Sequence, residues 1–185
     1  KVQLAFLSDQ LEEAIIPLRK LASEEKNVYF HFNVYPYRLY AALVYYGLAR
    51  KRKTRLFRVR ARAHTKKLER LMADGNVNCA PLVKILRAEQ KMTGVVGKSN
   101  DRARIAYKEA INECAKAELP HLEAVANERA WMACGERDIG QKEYMGRAIQ
   151  LYSQWGANSK VSWLVNYCTS VQATEVSGKS VRRQL

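Results

Sequence analysis

The sequence lacks any apolar run approaching the roughly 20 residues that a membrane-spanning helix needs, so no transmembrane segment is expected. Its four cysteines, Cys79, Cys114, Cys134 and Cys168, form no C-x-x-C pair and are separated by long gaps. Zinc sites usually gather ligands at short spacings, and disulfide frameworks belong to smaller secreted chains. Free, mostly buried thiols in a reducing compartment are therefore expected. No secretory signal is visible, which points to an intracellular, cytoplasmic setting. A phosphate-binding glycine loop, a metal-ligand cluster and a nucleophile with a base at recognisable spacing are all missing. These absences argue against catalysis within the segment and against a cofactor. Sustained polar–apolar alternation is missing as well, which argues against a sheet.

What is present is positive charge and helical periodicity. Lys and Arg number 32 against 18 Asp and Glu, a formal charge of +14 over 185 residues. Such a balance favours anionic partners such as nucleic acid, phospholipid or an acidic protein surface, without choosing among them. At 48% hydrophobic composition the chain is expected to fold. It starts at Lys1 rather than at methionine, and a segment of a longer protein is expected.

Apolar residues at three- and four-residue spacing predict an all-α protein of seven or eight helices in antiparallel hairpins. Residues 2–24 read as one helix perturbed at Pro17, which removes an N–H. Val28–Phe32 reads as loop or helix edge. Pro36 opens a helix to about Ala49, dense in tyrosines (Tyr37, Tyr40, Tyr45, Tyr46) that either pack between helices or stack nucleic-acid bases. Lys51–Met72 buries Phe57, Ala61, Leu68, Leu71 and Met72. Its second stripe, Arg55, Arg58, Arg62 and Lys66, is either a solvated face or a surface for phosphates or an acidic partner. The run Ala63–Leu68 resembles histidine phosphotransfer helices at Lys67, but Leu68 stands where those helices place a glycine, and a packed structural histidine is expected at His64. Gly75 caps this helix. Helices at Ala80–Thr93 and Asp101–Ala117 follow, joined by a loop at Gly94–Asn100. Leu119-Pro120 breaks the second. A hairpin then runs from Pro120 through a turn at Gly135–Asp138 to about Trp155, with Gly156 as its cap. A short last helix spans about Lys160–Tyr167. The organisation expected is an N-terminal helix and connector at 1–33, a helical-repeat domain at 34–168 and a polar tail or linker at 169–185.

One offset aligns two blocks: Ala88, Gly97, Ala110 and Ile111 recur 38 residues later as Ala126, Gly135, Ala148 and Ile149. Helix, turn, helix and breaker at a period near 34–40 predict a tetratricopeptide-like α-solenoid, in which hairpins stack because none buries both sides alone. Ala110 and Ala148 are expected where the helices of each hairpin approach closely.

Three pieces, Tyr107–Ile111, His121–Glu128 and Tyr152–Lys160, resemble the helical-repeat region of large multidomain signalling proteins that join a serine/threonine kinase-like domain, a signal-transduction ATPase and a GAF plus histidine-kinase module. The resemblance covers about Tyr37–Leu164. It implies a scaffold for protein–protein interaction or signal relay, with catalytic domains outside this chain and another domain or an acidic protein surface as partner. It also implies a groove lined by first helices, with Glu89, Asn127 and Glu128 as candidate contacts. The alternative is that Asn127 and Glu128 satisfy polar groups between helices.

Overall fold

The computed structural model describes residues 1–23, 34–93, 101–134 and 140–176. The sequence readings at Val28–Phe32, at the Gly94–Asn100 loop, at the Gly135–Asp138 turn and at the end of the tail lie outside them. The described residues form nine α-helices and one 3₁₀ turn, with no strand among them. In chain order the helices are α1 (Val2–Leu7), α2 (Ile15–Ser23), α3 (Val34–Arg52), α4 (Arg55–Ala73), α5 (Ala80–Thr93), α6 (Asp101–Lys116), α7 (Pro120–Ala133), α8 (Gln141–Gln154) and α9 (Asn158–Val176). The 3₁₀ turn is Val77–Cys79.

Three hairpins dominate the packing: α3 with α4, α5 with α6, and α7 with α8. Neighbouring hairpins touch through their first helices, α3 against α5 and α5 against α7, and each second helix also meets the next first helix. α1 lies on α3, and α9 packs on α8. Two first helices are enclosed almost all round. Every residue of α3 from Arg38 to Ala49 is buried, as is every residue of α7 from Leu122 to Trp131. Ala110 and Ala148 are fully buried, each on the second helix of its hairpin. Gly47 leaves room for the N-terminal segment: a Cβ there would lie 2.6 Å from Leu11 Cδ1.

Four helices end in the same way. A residue with positive φ stands after the helix, its N–H bonds back three residues, and the following N–H bonds back five. At Gly75 (φ 96) the bonds run to Met72 and Leu71, and at Gly156 (φ 81) to Ser153 and Tyr152. The same pattern occurs without glycine at Asp9 (φ 56) and Glu118 (φ 53).

The structure departs from the sequence reading at both ends. Residues 2–24 are not one helix. The chain turns at Asp9, and Pro17 sits in the first turn of α2, where its missing N–H has no helical partner to lose. The last helix does not stop near Tyr167 but continues through Val176. Positions 169–176 therefore belong to a helix rather than to a tail. The Thr169 and Ser170 hydroxyls bond the Val165 and Tyr167 carbonyls, so these polar residues are satisfied within the helix.

Candidate functional site

Several charges of the first helices are turned inward. Glu89 of α5 is fully buried. Arg50 of α3 donates Nη1–H to its Oε2 at 2.5 Å, and Arg129 of α7 donates Nε–H to its Oε1 at 2.5 Å. Tyr107 of α6 donates its hydroxyl to Oε1 at 2.7 Å. Three consecutive first helices are thus joined through one carboxylate, by partners 39 and 40 residues away. These separations are close to the 38-residue sequence repeat. Burial alone would raise the Glu89 carboxyl. The Arg129 and Arg50 guanidiniums beside it, with hydrogen bonds from Arg129 and Tyr107, overcome that and hold it at about 2. Burial and the neighbouring carboxylate push the Tyr107 phenol well above its ordinary range.

The arrangement recurs one hairpin later. Glu128 of α7 accepts from the Tyr152 hydroxyl of α8 at 2.7 Å and from Lys160 Nζ of α9 at 2.8 Å. In both places a first-helix carboxylate takes a tyrosine from the second helix of its own hairpin and a cation from the helix that follows. Lys160 also lies 4.3 Å from the Trp163 ring centroid. Asn127 donates Nδ2–H to the Glu123 carbonyl at 2.9 Å.

Glu89, Asn127 and Glu128, the candidate groove residues, are therefore interior. Their exposures are 0%, 3% and 3%. Their polar groups join helices or bond the helix backbone, and none of the three presents a carboxylate or amide on an open surface. The signal missed in the sequence was the tyrosine and cation set around each glutamate.

An outward basic stripe lies on α4. Phe57, Ala61, Thr65 and Leu68 form its buried side, and Thr65 Oγ1 lies 3.2 Å from the Tyr46 hydroxyl of α3. Opposite them, Arg55, Arg62 and Lys66 are exposed, while Arg58 is half-buried at the edge of the packed side. Leu56 and Val59 stand on the same outer face, 56% and 54% exposed. That face is consequently both cationic and apolar. Of the neighbouring tyrosines, Tyr40, Tyr45 and Tyr46 are buried and Tyr37 is half-buried.

Among the described residues no three His, Cys, Asp or Glu side chains converge as metal ligands. No disulfide joins the four cysteines, three of which are buried, and burial pushes Cys114 up to about 12. No helix among the described residues is long and apolar enough to cross a membrane. No protein-family model, curated protein or solved structure matches the chain.

Proposed function

We propose that this chain is a non-catalytic helical-repeat scaffold, tetratricopeptide-like in its stacking, that docks an acidic protein segment on the outer face of α4. The observation that carries the reading is the interleaving of exposed Leu56 and Val59 with Arg55, Arg62 and Lys66 on one helix face. A peptide with carboxylates around one or two apolar side chains matches both features. The carboxylates meet the cations, and the apolar side chains leave water against Leu56 and Val59. The contacts between successive first helices, and their links at 39 and 40 residues, support the repeat part of the proposal. The resemblance of Tyr107–Ile111, His121–Glu128 and Tyr152–Lys160 to the helical region of large signalling proteins makes another domain of such an assembly a natural source of the segment.

Nucleic acid is the second reading, favoured by the charge of +14. It fits the face less well. Phosphates gain nothing from exposed Leu56 and Val59, and the buried tyrosines of α3 offer no faces for bases. Charge reversal tests the proposal: R55E/R62E/K66E keeps its helical circular dichroism and weakens capture of an acidic, leucine-containing peptide. Undiminished capture by the folded variant would overturn it.

A further inference from the structure

A cavity of about 310 Å³ opens beside the outer face of α4. Its walls carry Arg19 of α2, Tyr37 and Tyr45 of α3, and Arg60, His64 and Lys67 of α4. Three cations and an imidazole thus converge on one small space from two helices, and no carboxylate occurs among the described residues that line it. The aromatic side is braced. His64 stacks on Tyr45 at 5.8 Å between centroids and meets Tyr37 edge-on at 5.7 Å. The Arg60 guanidinium sits 5.9 Å from the Tyr45 ring centroid.

Size and wall chemistry limit the ligand. The volume is at the small end of ligand pockets, roughly 300–1,000 Å³, so it suits a head group and not an extended cofactor. Because the rings are packed against one another, no slot remains between two aromatic faces for a nucleobase. Several cationic donors converging on one small space match a phosphoryl group, with its two negative charges and three acceptor oxygens. Ala63, which also lines the cavity, continues along α4 to Val59 and Leu56 at helical spacing, so the cavity adjoins the proposed docking face.

We infer that this cavity receives a phosphorylated side chain carried by the acidic segment that docks on α4. The inference rests on the docking reading above, and it makes phosphorylation of the partner the event that tightens the complex.

Fluorescence anisotropy with two short acidic, leucine-containing peptides, identical except for one phosphoserine or serine, tests it. The wild-type chain is expected to hold the phosphopeptide at least about tenfold more tightly. R60Q/K67Q is expected to abolish that advantage and leave the serine peptide's affinity unchanged, and Arg19→Gln, at an exposed position of α2, is expected to reduce it without risk to the fold. Equal affinities for the two peptides on the wild-type chain, with both weakened by R55E/R62E/K66E, would overturn the phosphate pocket and leave α4 docking standing. If R55E/R62E/K66E weakens neither peptide, the docking reading itself fails. Tighter binding to vesicles bearing a phosphorylated lipid head group than to the phosphopeptide would overturn the assignment to a protein segment.

Discussion

Glu89 and Arg129 are 40 residues apart in the chain and 2.5 Å apart in space, with the carboxylate fully enclosed. Arg50 reaches the same carboxylate from the other side. An enclosed carboxylate between two guanidiniums is stable only while all its partners are in place. Removing it leaves two largely buried cations facing each other without a counter-charge. Glu89→Ala is therefore expected to destabilise the fold by about 3–5 kcal/mol, read as a shift in the urea unfolding midpoint. Replacing Glu89, Arg50 and Arg129 together by apolar residues of similar volume should recover much of that loss. A single substitution costing less than about 1 kcal/mol would show that the three groups are not coupled to folding.

Acid should weaken the same contact. The folded Glu89 carboxyl is held at about 2, below its ordinary 4.5. Its contribution is present in full above the unfolded value and is lost as pH falls from about 4.5 towards about 2. The stability gap between the wild-type chain and Glu89→Gln is expected to be constant near neutrality and to narrow across that acid window. Unfolding curves at stepped pH measure it, and a gap that stays constant down to pH 2 would contradict the depressed carboxyl.

These interior charges also explain which parts of the structure were legible in the sequence. The helices α5 to α8 follow from apolar spacing, from Pro120 as the first residue of α7 and from Gly75 and Gly156 as caps. Their ends match within a few residues. Asp9 and Glu118 adopt the same left-handed cap with side chains that do not announce it, so the turn at Asp9 carries no local sequence signal. α7 is enclosed on all sides, so Glu123, Asn127, Glu128 and Arg129 look like surface residues in the sequence and are interior in the fold. Their partners come from other helices, 24 to 40 residues away, or from α7 itself. The basic stripe was legible because it is local to one helix. Its mixture with exposed Leu56 and Val59 was not read, since both fit an apolar spacing.

The left-handed caps give a test of backbone strain. Glu118 adopts φ 53, a region that costs an L side chain roughly 1–2 kcal/mol. Glycine removes that cost and adds back part of it through greater freedom in the unfolded chain. Glu118→Gly is expected to raise stability by about 0.5–1 kcal/mol, measured by thermal or urea unfolding. A loss of stability would mean that the Glu118 side chain contributes more than its backbone costs.

Close packing of the last hairpin rests on Ala148, which has no exposed surface. Ala148→Leu adds three carbons to a filled space between α7 and α8 and is expected to cost about 1–3 kcal/mol. An unchanged melting temperature would count against a tight crossing at this position.

The docking of an acidic, partly apolar segment on α4 is tested most directly by replacing its apolar half. Affinity of a leucine-containing acidic peptide is measured at low and high salt for the wild-type chain and for L56S/V59S, which alters two exposed positions and no charge. Binding is expected to weaken by about tenfold, from lost apolar burial of about one to two kcal/mol, with the salt dependence unchanged because every cation remains. Undiminished peptide affinity in L56S/V59S, alongside tighter and steeply salt-dependent binding of single-stranded RNA, would contradict the protein-docking account and make the α4 face a phosphate-tracking surface.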